Sequence, residues 1–109
     1  KWRLTAWGSI LYEQGHHETH IHPSGWISGV YYGILPTCTK DGDDQGEGYI
    51  EFGRPSNHVA TQQDPNFYLL QPSEGQIVLF PSYFYHQTIP FKSHEKRFTI
   101  AFDVIPESW

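Results

Sequence analysis

The sequence predicts an all-β fold of about eight antiparallel strands, arranged as a sandwich or a jelly roll. No segment of the 109 residues shows helical periodicity, and short apolar or alternating segments recur between turn residues. Ten glycines and eight prolines supply those turns. Eight short strands in about a hundred residues are typical of sandwiches and jelly rolls. The acidic, glycine-rich segment 38–47 is predicted to be a solvated hairpin loop.

The predicted strands follow one another along the whole chain. They cover residues 4–13, 18–22, 27–35, 48–53, 67–72, 76–80, 85–89 and 97–105. The last strand alternates most clearly, because its even-numbered positions are apolar and share one face. The other face carries the residues Arg97, Thr99, Ala101 and Asp103. A smaller, polar face that begins with an arginine is expected to line a cavity rather than a dry core.

Length, charge and cysteine content limit the classes of function. We expect one domain spanning residues 1–109, excised from a longer chain, because the sequence opens on Lys1 and contains no methionine. A net charge of −5 with only seven lysines and arginines disfavours a nucleic-acid partner. No segment has the features of a signal peptide or a membrane span. The lone Cys38 has no internal disulfide partner, and we expect a cytoplasmic location.

Three histidines are candidate metal ligands. His20 and His22 stand two residues apart in a predicted strand, so their side chains leave the same face. Glu18 shares that face. A buried imidazole must be hydrogen-bonded or ligated. On its own, however, the pair is a weak signal that solvated histidines near a strand end explain better. His86 follows a strand and a Pro-Ser turn, where the chain can return beside the pair and supply a third ligand.

Arg97 is a candidate anion-binding residue. An arginine at the start of a strand is usually a surface or salt-bridge residue, but here it begins the polar face of the last strand. An inward-facing arginine in a small barrel needs an anion, and its planar guanidinium suits a carboxylate. Thr99 lies on the same face and can add a hydroxyl donor. A metal at one end of a cavity and an arginine deeper inside would suit a small dicarboxylate.

Four segments resemble one enzyme family in sequence and in order. They read "HIHPSGWISGVYY", "GYIEFGRP", "GQIVLFPSYFYHQTIPF" and "RFTIAFDV". They are similar to Fe(II)/2-oxoglutarate oxygenases, and within them to the prolyl-hydroxylase-like group often attached to tetratricopeptide-repeat regions. The resemblance extends from about Trp7 to Pro106. It implies a double-stranded β-helix (a jelly-roll, cupin-like fold), Fe(II) as metal, 2-oxoglutarate as co-substrate, and hydroxylation of an unactivated C–H bond with O₂.

The resemblance also implies roles for individual residues. His20 matches the first metal ligand, His22 the position that usually holds an aspartate, and His86 the distal histidine. Arg97 matches the arginine that pairs with the far carboxylate of 2-oxoglutarate, and Tyr12 a tyrosine that lines the co-substrate pocket. The departure is at His22, because the usual site has two histidines and one carboxylate. Three neutral imidazoles would change the redox properties of iron and could admit Zn²⁺ or Ni²⁺, unless Glu18 supplies the carboxylate.

The expected function is therefore an Fe(II)- and 2-oxoglutarate-dependent dioxygenase that hydroxylates a small molecule or a peptide. Two alternatives stay open: a cupin-like metalloenzyme with three histidine ligands, and a non-catalytic jelly-roll module that binds metal. Four aromatic residues are expected either to form a wall for the substrate or to belong to the ordinary core. They are Trp26, Tyr31, Tyr83 and Tyr85.

Overall fold

The computed structural model describes residues 1–12, 24–42, 45–53 and 67–107. These residues form seven β-strands and one short helix. In chain order they are β1 (Trp2–Leu11), β2 (Ile27–Ile34), α1 (Thr37–Asp41), β3 (Ile50–Phe52), β4 (Tyr68–Leu70), β5 (Ile77–Pro81), β6 (His86–Thr88) and β7 (Arg97–Pro106). Each strand lies within two residues of a predicted one at both ends. The remaining prediction, a strand at 18–22, falls outside the described residues.

A four-stranded antiparallel sheet has the order β1-β7-β2-β5. The two longest strands, β1 and β7, pair along their full length, from Trp2 opposite Pro106 to Leu11 opposite Arg97. Strand β2 pairs with β7 on one side and with β5 on the other, and the register of β2 against β7 shifts between Tyr32 and Ile34. The polar face of β7 therefore lies in the middle of the sheet, between neighbours on both sides.

A three-stranded antiparallel sheet, in the order β4-β3-β6, faces the first. Its register places Phe52 opposite His86 and Ile50 opposite Thr88. The hydrophobic core draws buried residues from both sheets and from the end of β2: Val30, Tyr32, Leu35, Ile50, Phe52 and Phe80. The two facing antiparallel sheets form the predicted double-stranded β-helix, and the core holds its inner surfaces together.

The prediction of a hairpin loop at 38–47 is wrong at the start of that segment, because α1 covers Thr37–Asp41. Five residues are too few to show a helical period, so no periodic signal marks this helix. The Glu95 carboxylate accepts hydrogen bonds from the Thr37 backbone N–H at 2.9 Å and from its hydroxyl at 3.1 Å. These bonds lower the pKa of Glu95. Gly42, with a φ of 76°, ends the helix in a conformation that favours glycine.

The outer face of the four-stranded sheet, which points away from the core, is also apolar. On β1 this face carries the even-numbered residues, which include Leu4 and Ile10 at 56% and 57% exposure. At the other edge of the same face, Ile77 and Leu79 of β5 are 56% and 62% exposed. The chain thus presents a contiguous apolar sheet surface of the kind that soluble monomers rarely leave open. Within the described part of the chain, no helix is long and apolar enough to span a membrane.

Candidate active site

A cavity of about 70 Å³ lies between the two sheets. Polar and charged residues from the four-stranded sheet line one wall: Ser9, Ser28, Tyr32, Arg97, Thr99 and Asp103. His86 and Thr88 line the facing wall, which belongs to the three-stranded sheet. A single water needs about 10–15 Å³ of such space, so the cavity can hold several waters or part of a small organic ligand.

Arg97 is the main cationic group of this cavity. The first residue of β7, it is only 2% exposed, and its Nη2 donates to the Thr88 hydroxyl at 3.4 Å. Its guanidinium carbon lies 5.6 Å from the centroid of the Tyr32 ring. Among the described residues, its Nε and Nη1 have no hydrogen-bond partner. Because a buried charge is costly unless it is paired, this geometry calls for an anion.

Tyr32 places a third unsatisfied donor at the same end, beside the two nitrogens of Arg97. The residue is fully buried, and its hydroxyl lies close enough to the Arg97 guanidinium to interact with it but makes no hydrogen bond of good geometry in the described part of the chain. Burial raises the pKa of Tyr32 to about 12, although the Arg97 charge opposes this shift. Burial in turn lowers the pKa of Arg97, against the influence of Tyr32. Tyr32 and Arg97 therefore present three buried polar groups that a carboxylate could satisfy together.

His86 is held in one orientation at the start of β6. It is 9% exposed, and its ring packs 4.6 Å from the Phe80 ring, centroid to centroid. Its Nδ1 lies 3.1 Å from the Phe84 carbonyl oxygen. A carbonyl can only accept, so this bond requires the proton on Nδ1. In the neutral ring, Nε2 then carries the lone pair, as a metal ligand requires.

The structure brings together three of the predicted site residues. His86, Arg97 and Thr99 all line the cavity. His20 and His22, together with the alternative ligand Glu18, lie outside the described residues. Within the described ranges, no group of three or more histidine, cysteine, aspartate or glutamate side chains could hold a metal. The donor set fits a dicarboxylate at Arg97, and His86 fits one metal ligand.

The structure does not bring Tyr12 to the cavity. Tyr12 follows the end of β1, is 58% exposed, and is not among the lining residues. Side chains alternate along a strand, and the cavity side of β1 carries the odd-numbered residues Trp7 and Ser9. An even-numbered residue after Ile10 continues on the opposite face. The tyrosine beside Arg97 is Tyr32 instead.

The four aromatic residues expected to form either a substrate wall or part of the core do not line this cavity. Trp26, Tyr31 and Tyr83 are 63%, 36% and 73% exposed, so they belong neither to the cavity nor to the buried core. Tyr85 does not line the cavity either. Tyr31 does not reach the cavity because it lies on the outer face of the sheet, opposite Ile77 of β5. The aromatic rings that do line the cavity include those of Trp7 and Phe80.

Sequence reasoning missed Tyr32, Ser28 and Asp103. Ser28 and Tyr32 both occupy even positions of β2 and therefore share a face, and Asp103 shares the face of Arg97. In β7 the alternation predicts that Asp103 lies on the polar face, but it assigns Asp103 no function. In β2 the signal was hidden, because small, aromatic and β-branched residues occur on both faces.

Two solved structures share this fold. A prolyl-4-hydroxylase from Pseudomonas putida superposes with a TM-score of 0.68 at 14% identity, over 96% of this chain and 52% of that one. A 2OG-Fe(II) oxygenase family oxidoreductase from Burkholderia pseudomallei gives a TM-score of 0.66 at 11% identity, over 96% and 44%. The chain thus spans about half the length of these structures. No curated protein matches the sequence.

The sequence itself matches one family. The model of the family described as "Putative 2OG-Fe(II) oxygenase" aligns with residues 5–103, from β1 to the end of the polar face of β7. This range contains the cavity residues His86, Arg97 and Asp103. The chain therefore belongs to the 2OG-Fe(II) oxygenase family.

Proposed function

We propose that this chain is an Fe(II)- and 2-oxoglutarate-dependent hydroxylase. The observation that carries the proposal is the buried, incompletely paired guanidinium of Arg97 inside the cavity that also contains His86. Buried arginine nitrogens in a polar cavity favour an anionic ligand, and a carboxylate matches the planar geometry of a guanidinium. Membership of the family supports 2-oxoglutarate as that ligand.

The chain's own residues would hold the far carboxylate of 2-oxoglutarate. Arg97 would donate from Nε or Nη1, and the Tyr32 hydroxyl would donate a further hydrogen bond. Thr88 and Thr99 are both buried beside them, at 5% and 2% exposure, and their hydroxyls keep this end of the cavity polar. Because these donors belong to paired strands of the two sheets, they are fixed before the ligand arrives, which reduces the entropy lost on binding.

His86, through Nε2, would be one ligand of the metal, with His20 and His22 as the proposed others and Glu18 as the alternative to His22. When bound, Fe(II) would supply activation of O₂ coupled to decarboxylation of 2-oxoglutarate. The protein's part is to orient and to exclude water. The Phe52 and Phe80 rings flank His86 at 6.5 Å and 4.6 Å and form an apolar surround on that side.

The two alternatives give Arg97 no ligand. A cupin-like metalloenzyme would need only the three histidines, and a non-catalytic module would need only a metal. Neither explains why a guanidinium is buried with two nitrogens that have no partner among the residues that the structure describes. The cytoplasmic location, and a small-molecule or peptide substrate rather than a nucleic acid, stay parts of the proposal.

Calorimetric titration with 2-oxoglutarate, with and without Fe(II) under anaerobic conditions, tests the proposal. A hydroxylase should bind 2-oxoglutarate, and Fe(II) should strengthen the binding because the near end of the co-substrate would also bind the metal. Absence of 2-oxoglutarate binding in both titrations would refute the hydroxylase and favour one of the alternatives.

A further inference from the structure

The cavity has a second charged group, far from Arg97. Asp103 lies six residues further along β7 on the same face, is 7% exposed, and also lines the cavity. Six residues of extended strand span about 20 Å. The two side chains together cannot bridge that distance, so Arg97 and Asp103 do not neutralise each other. A dicarboxylate held at Arg97 would therefore not reach the Asp103 carboxylate.

A chain of hydroxyl groups orients the Asp103 carboxylate. The Ser28 hydroxyl donates to Asp103 Oδ1 at 2.6 Å, and the Ser28 and Ser82 hydroxyl oxygens lie 2.8 Å apart. A serine has one hydroxyl hydrogen, and Ser28 gives its hydrogen to Asp103. Ser82 must therefore be the donor to Ser28. Both protons point toward the carboxylate, which fixes it as the acceptor at the end of the chain.

The surroundings of Asp103 suit a cation. Trp7 lies opposite Ala101 in the β1–β7 pair, so it is a diagonal neighbour of Asp103 on the same face. Trp7 lines the cavity and is 42% exposed, so its indole connects the Asp103 end to solvent. An indole face beside a carboxylate attracts an ammonium group by cation–π interaction. The net charge of −5 would also draw cationic substrates toward the protein.

The Asp103 end also lies near His86. Ser28 is opposite Asp103 on one side and opposite Phe80 on the other, so Asp103, Ser28 and Phe80 form one row across the sheet. The His86 ring packs on the Phe80 ring at the end of this row. Neighbouring strands are about 4.8 Å apart, so the row spans about 10 Å. A group bound at Asp103 would hold a neighbouring carbon within reach of the site at His86.

We propose that Asp103, positioned by Ser28 and Ser82, binds a protonated amine of the primary substrate and so selects amine-bearing substrates for hydroxylation. This inference rests on the proposed function, which supplies the reaction but does not name the substrate class. An amine is favoured over a neutral donor because its ammonium form adds a charge–charge attraction to the hydrogen bond that any donor would make with the carboxylate. Ser28 and Ser82 act as positioning residues, because their hydroxyl hydrogens are committed to the chain of bonds that ends at Asp103.

Two probes that differ only in the amine test the proposal. Nα-acetyl-lysine amide and Nα-acetyl-norleucine amide are titrated into the protein with Zn²⁺ and 2-oxoglutarate present, and binding is followed by NMR. We expect the lysine compound to bind at least tenfold more tightly. Asp103→Asn should bring the two affinities within about threefold of each other, and Ser28→Ala should reduce the ratio without abolishing it.

Glu51→Gln is the matched control. Glu51 is also 7% exposed and also hydrogen-bonded, accepting from Gln87 Nε2 at 2.6 Å, but it does not line the cavity. Glu51→Gln should keep the wild-type ratio of the affinities for the two probes.

Equal affinity of the wild type for both probes, including no binding of either, would overturn the proposal. So would a ratio unchanged in both Asp103→Asn and Ser28→Ala. Failure of 2-oxoglutarate to bind the wild type would refute the hydroxylase, whereas the probe ratio alone decides the role of Asp103.

Discussion

At the residue scale, the cavity is defined by polar atoms that the fold buries and leaves unsatisfied. Two nitrogens of Arg97 and the hydroxyl of Tyr32 have no partner among the described residues. Each unsatisfied buried group destabilises a folded protein by about 1–3 kcal/mol, and charged groups by more. Such groups persist where a ligand satisfies them, so the arrangement at Arg97 and Tyr32 is that of a binding site rather than of a structural core.

The Tyr32 hydroxyl should make stability depend on alkaline pH. Its pKa is about 12 in the folded protein and 10.0 without the fold, so the folded state holds this proton more tightly. The stability that this group contributes is fully present below pH 10 and is lost as the pH rises through 12, by roughly 3 kcal/mol at most. Tyr32→Phe should flatten this decline, measured by urea unfolding between pH 9 and 12. Tyr68→Phe, at a residue 64% exposed, is the control and should retain it. Parallel declines in wild type and Tyr32→Phe would contradict the assignment.

His86 should be required for metal binding. His86→Ala should abolish tight Fe(II) or Zn²⁺ binding, because His20 and His22 alone cannot hold a site with open positions. His94→Ala removes an exposed histidine and should bind metal as the wild type does, measured by metal content after dialysis.

The third ligand is tested in the same way. His22→Asp restores the usual ligand set and should retain iron. If His22→Ala binds iron like the wild type while Glu18→Ala does not, the glutamate is the ligand and the assignment of His22 is wrong.

At the element scale, the connection from α1 to β3 depends on glycine. Gly48 has a φ of 79°, and a Cβ there would collide with the Thr39 hydroxyl oxygen. That hydroxyl is committed, because it donates to the Glu47 carbonyl at 2.8 Å. Gly75 has a similar φ of 83°, but a Cβ there would meet nothing within 4 Å. The two glycines therefore separate backbone strain from steric collision.

Gly75→Ala should destabilise the protein by about 1–2 kcal/mol through the left-handed backbone alone. Gly48→Ala should lower the free energy of unfolding by about 1–3 kcal/mol more than Gly75→Ala does, because Thr39 is fully buried and must move. Urea unfolding of the two variants measures the difference. Equal losses would show that the contact at Thr39 is relieved without effect on the fold.

The elements also show how far the sequence predicts the site. The alternation of β7 placed Arg97 and Thr99 on a cavity face, because a period of two is visible in one strand. The helix α1 was missed because five residues do not display a period. Tyr32 was missed because its importance comes from its neighbour Arg97, which is 65 residues away in the sequence. Contacts between distant strands depend on the register of the sheets, and one sequence does not specify that register.

At the scale of the whole molecule, the outer face of the four-stranded sheet should make the isolated 109-residue chain self-associate. Exposed contiguous apolar surface of this kind promotes association. The double change Ile77→Lys and Leu79→Lys places two charges on an exposed edge strand and should reduce the association. Sedimentation velocity over a range of protein concentrations measures it. An unchanged distribution of species would show that this face is not the contact.

The central claim is that the cavity binds 2-oxoglutarate through Arg97. Calorimetric titration of 2-oxoglutarate into the Fe(II)-loaded protein under anaerobic conditions tests it most directly. Arg97→Ala should weaken binding by about 2–5 kcal/mol, or about 30-fold to several thousandfold, with metal content unchanged. Arg3→Ala is the control, because Arg3 pairs with Glu107 at 2.8 Å on the exposed surface, and it should bind as the wild type does. Equal affinity of Arg97→Ala and the wild type would contradict the account.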